Sequence, residues 1–319
     1  MKGIKLIAGT SHPKLAAKIA KKLNLPLTPV LIKKFLNSEI YVRIGEKVRG
    51  EDIFVIQTFG DNVNDSLMEL LIIIDALRRS SAGRINILCP NLCYSRQDRR
   101  VQSHEPISAK LVANLITVAG ADRLITVDLH ASQIQGFYDI PVDHLMGYPM
   151  IAKYIQRKKY KDLVIVAPDI GAAKRTHKMA DLFGAPIAIV DKVRTGHGLC
   201  EVAHVVGDVK DKTAILIDDM VDGGGSICGA IEAVKEFGAK KIIAGATHAF
   251  LNGEAVKKLK ESSVDEIVFL DTVPIPKEKR FSRMKIVSLA PLLAKIIRRI
   301  HTERSLGELF KWEDQRKIL

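Results

Sequence analysis

Short apolar, β-branched runs recur along the chain, separated by segments whose apolar residues repeat every three or four positions. The runs Ile53–Thr58, Ile85–Leu88, Leu124–Val127, Leu163–Ala167, Ala185–Val190, Ala214–Ile217, Lys241–Ala244 and Glu266–Leu270 predict strands, and Met1–Gly9 reads as a first strand entering a loop. Several are apolar throughout rather than alternating, the pattern of strands buried on both faces of a parallel sheet. Between them, Leu67, Leu70, Leu71, Ile74 and Leu77 share one helical face, with Asp65 or Ser66 as the expected cap and Gly83 beyond the end. Ile227, Ala230, Ile231, Val234 and Phe237 repeat the device and stop at Gly238. Strand and helix in alternation predict a doubly wound α/β fold with a mostly parallel central sheet.

A chain of 319 residues suits two domains of roughly 150 residues each. The turn residues Gly147-Tyr-Pro149 place the expected boundary there, giving domains of residues 1–146 and 147–319, the last fifteen or so packing back on the first. A weak echo links the halves: Ile85-Asn-Ile-Leu-Cys-Pro-Asn resembles Leu163-Val-Ile-Val-Ala-Pro-Asp, and Leu124-Ile-Thr-Val-Asp128 resembles Ala214-Ile-Leu-Ile-Asp218. Duplication of one α/β unit explains this, as does chance similarity among buried strands.

Composition excludes some classes. With 47% hydrophobic and 27% charged residues the chain is globular, and no stretch approaches the roughly 18 apolar residues of a membrane span. The N-terminus lacks a signal peptide's apolar region and cleavage site, so a cytoplasmic protein is expected. Cys89, Cys93, Cys200 and Cys228 show no zinc-ligand spacing and are expected as buried free thiols. The net charge of +13 invites nucleic acid, but Lys and Arg are dispersed, aromatics reach only 5%, and no reading motif is present. Small polyanionic substrates and a solvated basic surface account for the charge instead.

The sharpest chemical signal is Ile215-Leu-Ile-Asp218-Asp219-Met-Val-Asp222-Gly223-Gly224-Gly225-Ser226, running into the Ile227–Phe237 helix. A buried strand delivers carboxylates, then a glycine turn, then a helix N-terminus. Glycines let backbone N–H groups close on a phosphate, the helix end favours negative charge, and Ser226 adds a hydroxyl donor. Carboxylates beside them suit sugar hydroxyls or a hard divalent cation. No Gly-Lys-Ser/Thr follows, and the third glycine of a dinucleotide fingerprint arrives one residue late at Gly229.

In this loop, and over almost its full length, the chain resembles the ribose-phosphate pyrophosphokinases. Asp218, Asp219, Asp222, Gly224 and Gly225 match the loop that holds ribose 5-phosphate in that family. The long run Asp128-Leu-His130-Ala-Ser132-Gln133-Ile-Gln135-Gly-Phe-Tyr138 matches a second signature, and Phe35-Leu-Asn37-Ser-Glu39, Ser95-Arg96-Gln97-Asp98-Arg99, Pro168-Asp169-Ile-Gly171 and Lys192-Val-Arg194 match others in order. The resemblance implies two phosphoribosyltransferase-like domains and transfer of the β,γ-diphosphoryl group of ATP to C1 of ribose 5-phosphate. It implies Mg²⁺ near His130 and Asp169, and Lys192 and Arg194 as the charges of a closing catalytic loop. Arg96 and Gln97 are expected to hold ATP, with Phe35, Asn37 and Glu39 reaching it from a neighbouring copy in a hexamer. Asp218, Asp219, Asp222, Gly223, Gly224, Gly225 and Ser226 are expected to hold ribose 5-phosphate, and Ser103, Ser132, Gln135 and Asp143 an allosteric anion.

The pattern also breaks. Gly223 stands where the family usually has Thr, Ala172 where Gly is usual, Val101 where many members have an acid, Glu105 for Ala, and Gly307 for Ser. A non-catalytic regulatory homologue is the alternative these changes raise; a plain phosphoribosyltransferase would share the glycine loop without needing Phe35–Glu39 or Arg96–Asp98.

Overall fold

The computed structural model describes residues 3–193 and 202–310, which form two compact units. Residues up to Met146, Thr272–Pro274 and those from Ser288 onward form the first; Gly147–Asp271 and Ile275–Val287 form the second. No described helix is long and apolar enough to cross a membrane.

The first unit is built on a five-stranded parallel sheet in the order β1 (Ile4–Ala8), β4 (Asp52–Ile56), β5 (Arg84–Cys89), β6 (Arg123–Val127), β7 (Val142–Leu145). A separate antiparallel hairpin pairs β2 (Val30–Lys34) with β3 (Ile40–Ile44). Helices α2 (Val63–Arg79) and α3 (Ser108–Ala119) bury Leu70, Ile74, Leu77, Val112 and Ile116 against Ile7, Ile53, Val55, Ile87 and Leu124. The residues alternating with these, Leu6, Phe54, Leu88 and Ile125, are fully buried too, which explains the unbroken apolar runs. Helices α1 (Pro13–Leu23) and α8 (Ala290–His301) pack on one another. At the sheet's amino edge, Arg84 binds Asp52 through two hydrogen bonds of 2.9 and 2.6 Å, and His301 Nδ1 lies 2.9 Å from Asp52 Oδ2.

The second unit has seven strands in the order β10 (Val202–Val206), β9 (Ile187–Val193), β8 (Leu163–Ala167), β11 (Thr213–Val221), β12 (Lys241–Ala249), β13 (Glu266–Leu270), β14 (Met284–Val287). Only β10 runs antiparallel, against β9. Helix α6 (Gly225–Glu236) buries Ile227, Ile231 and Val234 against Val164, Leu216, Ile242 and Phe269, while α4 (Tyr148–Gln156) and α5 (Ala173–Phe183) also pack on the sheet. Helix α7 (Ala255–Glu261) follows β12, and the short α9 (Gly307–Phe310) ends the described chain in the first unit.

Several expectations change. Helix α2 starts before Asp65, because Asn62 adopts the left-handed conformation (φ 53°) as its N-cap and brings Val63 and Asn64 into the first turn. Strand β11 runs on to Val221 instead of ending at Ile217, so Asp218 and Asp219 belong to the strand itself. Among the described cysteines, Cys89 and Cys93 are buried but Cys228 is half-buried. Burial pushes the Cys89 thiol well up and the Cys93 thiol up to about 12, so neither is a nucleophile.

Candidate functional site

In the second unit the chemistry gathers at the carboxyl ends of β8 and β11, adjacent parallel strands, where open α/β sheets bind ligands. Asp218 and Asp219 are adjacent on β11, and one cation serves both. Arg175, from the first turn of α5, places Nη1 3.2 Å from Asp218 Oδ1 and 3.8 Å from Asp219 Oδ1. The Asp219 N–H donates to Asp218 Oδ1 at 2.8 Å. Burial, and then the Asp219 carboxylate, push Asp218 up to about 7, against the opposing pull of Arg175. Asp218 is therefore the carboxyl held toward its protonated form. Sequence reasoning did not single out Arg175; its position in the first turn of the helix after Pro168-Asp169 is the signal that would have marked it.

The loop that follows divides its three glycines by geometry. Gly224 has φ 76°, and a Cβ there would lie 3.2 Å from Ala255 Cα. Such a conformation and such closeness both favour glycine. A Cβ on Gly223 or Gly225 would meet nothing within 4 Å. Helix α6 then starts without a side-chain cap, so the glycine turn leads straight into a helix N-terminus of the kind that attracts anions. Asn252 Nδ2 donates to Asp222 Oδ1 at 2.8 Å. Ser226 is exposed at the start of the helix.

Asp169 is exposed, and its Oδ1 accepts the Ala172 N–H at 3.0 Å, closing the 3₁₀ turn Ile170–Ala172. Lys192 lies on β9, beside β8; Arg194 falls outside the described residues.

In the first unit, Arg96 and Gln97 sit on the loop after β5, and His130 on the turn after β6, all exposed. The two loops are joined where Gln133 Nε2 donates to Asp98 Oδ2 at 2.8 Å. Behind the turn, Asp128 has φ 42°, its N–H donates to Leu145 O at 2.9 Å, and the Leu129 N–H donates to His144 Nε2 at 2.9 Å. Gln97 is tied down by the Ser108 hydroxyl on its Oε1 (2.5 Å). Phe35, Asn37 and Glu39 form the tip of the β2–β3 hairpin, closed by Phe35 N–H to Glu39 O (2.8 Å) and Ser38 N–H to Phe35 O (2.9 Å). Phe35 stays half-exposed and meets Tyr41 edge to face at 5.8 Å.

Of the residues expected to bind an allosteric anion, Ser132 and Gln135 share the 3₁₀ helix Ser132–Phe137, and Ser103 is exposed. Asp143 is paired with Arg123 at 2.7 Å. Glu105 accepts the N–H groups of Val101 (2.8 Å) and Gln102 (3.0 Å), and these bonds, that from Gln102 foremost, lower its carboxyl below the usual range. Sequence reasoning missed a cavity of about 330 Å³ between the turn end of the hairpin and the start of α2, bounded by Lys34, Ile40, Asn62 and Asp65. Glu69 lines it too, accepting Thr10 N–H and hydroxyl at 2.7 Å each.

Among the described residues no three His, Cys, Asp or Glu side chains form a metal cage. Mg²⁺ typically keeps several waters and uses one or two carboxylates plus substrate phosphates. An exposed carboxylate tied through a single oxygen, as at Asp169, suits that mode of binding.

Comparison with known proteins adds an independent line. The N-terminal domain of ribose phosphate pyrophosphokinase matches residues 4–120, and a phosphoribosyl synthetase-associated domain matches residues 201–311. The chain is 49% identical over 314 residues to the ribose-phosphate pyrophosphokinase of Clostridium acetobutylicum, spanning 98% of each. Its counterpart in Bacillus subtilis is 46% identical over 309 residues, 97% of this chain and 98% of that one. The crystal structure of phosphoribosylpyrophosphate synthetase from Mycobacterium smegmatis superposes with a TM-score of 0.90 at 45% identity, over 95% of this chain and 100% of that one.

Proposed function

The chain belongs to the ribose-phosphate pyrophosphokinase family, and on that premise we propose that it moves the β,γ-diphosphoryl group of ATP to the C1 hydroxyl of ribose 5-phosphate. It is an enzyme of that family, and its two units have the phosphoribosyltransferase-like doubly wound architecture. The observation that carries the reading is the strand-end carboxylate pair leading through an open glycine turn into a helix N-terminus.

In the proposed reaction the anomeric hydroxyl gives up its proton to solvent and its oxygen forms a bond to the β-phosphorus as the bond from that phosphorus to the α,β-bridging oxygen breaks, releasing AMP. Such transfers depend on alignment and charge stabilisation more than on covalent help. The glycine turn and Ser226 hold the 5-phosphate, and Asp219 and Asp222 take the ribose hydroxyls. Arg175 keeps the Asp218–Asp219 pair compatible with an approaching anion by balancing its charge. Lys192 and Arg194 supply positive charge to the transferred group. Asp169 and His130 are the residues that would hold Mg²⁺, which would supply charge neutralisation of the ATP phosphates. Arg96 and Gln97 hold ATP on a loop braced by the Asp98–Gln133 bond.

An aromatic ring half-exposed at a hairpin tip suits the adenine of a neighbouring copy, so we assign Phe35, Asn37 and Glu39 to an ATP site completed by self-association, with a hexamer as the assembly. Ser103, Ser132, Gln135 and Asp143 are assigned to an allosteric anion site, and the reaction to the cytoplasm. Phosphorus NMR of the protein with Mg²⁺, ATP and ribose 5-phosphate tests the reading. A diphosphate on C1 is expected, and its loss in Lys192→Ala. Release of inorganic phosphate or ADP in place of that product would sink it.

A further inference from the structure

The loop that carries Asp222 is held in place by a second loop. We propose that Asn252 is a positioning residue for ribose 5-phosphate, acting through Asp222; the proposal rests on the sugar-phosphate reading of residues 218–226. The corner between β12 and α7 meets this loop through a run of contacts. Phe250 and Leu251 N–H groups both donate to Val221 O, at 3.0 and 3.2 Å, and the Asn252 N–H donates to Asp222 O at 3.0 Å. Ala255 then packs where Gly224 has no side chain.

These backbone contacts are open to almost any sequence. The remaining one is not: Asn252 Nδ2 donates to Asp222 Oδ1 at 2.8 Å, and only a short side chain with a donor can supply it. The corner itself is well determined. Leu251 adopts φ 54°, rare for a residue with a Cβ, and is held there by a side chain only 2% exposed. Lys279 Nζ donates to Phe250 O at 2.9 Å from below. Asn252 is thus a donor on a rigid support, aimed at a carboxylate at the start of a glycine turn.

An Asp carboxylate turns about its last torsion in a broad, two-fold well. A bond to Oδ1 fixes its plane before the sugar arrives, so that ordering is not required at binding. The consequence falls on sugar-phosphate affinity. It does not fall on the chemical step, because Asn252 touches no reacting atom.

The test compares Asn252→Ala and Asn252→Asp with the wild-type enzyme by calorimetric titration of ribose 5-phosphate and by steady-state kinetics above neutral pH. Asn252→Ala should weaken ribose 5-phosphate binding about tenfold. It should leave kcat and the KM for ATP within about twofold, and thermal unfolding unchanged. Asn252→Asp has almost the same shape but sets a second carboxylate against Asp222, so it should bind more weakly than the alanine variant. If Asn252 only filled space in the corner, the aspartate variant would bind better than the alanine variant, which overturns the proposal. Unchanged affinity in Asn252→Ala overturns it equally. Should the alanine variant unfold, Asn252→Ser, which keeps a short donor, is set against Asn252→Asp and is expected to bind the tighter. Failure of the wild-type protein itself to bind ribose 5-phosphate is a separate outcome: it removes the sugar-phosphate reading, and this inference with it.

Discussion

Replacing Gly223 by Thr should tighten ribose 5-phosphate binding, and its neighbour supplies the control. The backbone at Gly223 lies outside the left-handed region, and a Cβ there meets nothing within 4 Å. Threonine can therefore enter without moving its surroundings, and its hydroxyl would stand in a turn assigned to a phosphate. A hydrogen bond to a charged group contributes about 1.5–3 kcal/mol. At about 1.4 kcal/mol per factor of ten, that is about 10- to 150-fold in affinity, with the lower end expected at an exposed loop. Fewer unfolded conformations add stability of about 0.4–1 kcal/mol. Gly224→Ala should act in the opposite sense. It forces a Cβ into φ 76° and to within 3.2 Å of Ala255 Cα, so both the loop and its ligand affinity should suffer. Titration of ribose 5-phosphate into the two variants and the parent decides the matter. Unchanged or weaker binding in a folded Gly223→Thr protein would refute the assignment of this turn to the 5-phosphate.

Two further predictions concern charge. Asp218 is raised from an ordinary carboxylate to about 7, so the folded state holds more protons than the unfolded state between those values, and its stability falls as pH rises from about 4 to above 7. Asp218→Asn should therefore raise the midpoint of thermal unfolding above neutral pH and change it little at pH near 4–5; a uniform shift at all pH would contradict this. Burial works against ionised Asp52, but hydrogen bonds from Arg84 and His301, the Arg84 charge and Asn86 outweigh it and hold the carboxyl below its usual range. Its contribution is present above about pH 4 and is lost as pH falls through the lowered value. Asp52→Ala should cost about 1–3 kcal/mol at neutral pH, because Arg84 and Asn86 lose a shared acceptor, and scanning calorimetry against pH checks it.

The fold was legible where burial dictates residue type. Strands covered on both faces, such as Leu163–Ala167, must be apolar throughout, and their alternation with helices gives a parallel sheet. The hairpin was not legible, because β2 and β3 stand apart from the main sheet and carry Lys33, Lys34 and Arg43. Its turn takes the left-handed conformation at Ser38, with no Asn-Gly or Asp-Gly pair to announce it. Short strands with charged members, β7 with Asp143 and β14 with Lys285, escaped for the same reason.

The candidate site divides similarly. Acids and glycines adjacent in sequence declare themselves, whereas links between distant segments do not. Arg175 reaches Asp218 from 43 residues away and Asn252 reaches Asp222 from 30. Which face of a helix or corner turns inward is settled by packing, and no spacing rule within either segment records it.

The most direct test of the central claim is to incubate the protein with Mg²⁺, ATP, ribose 5-phosphate and inorganic phosphate, and to quantify AMP and phosphoribosyl diphosphate together over time. Diphosphoryl transfer predicts that the two appear in equal amounts, and only when ribose 5-phosphate is present. AMP formed without the sugar phosphate, or ATP bound with neither product at saturating ribose 5-phosphate, would contradict it.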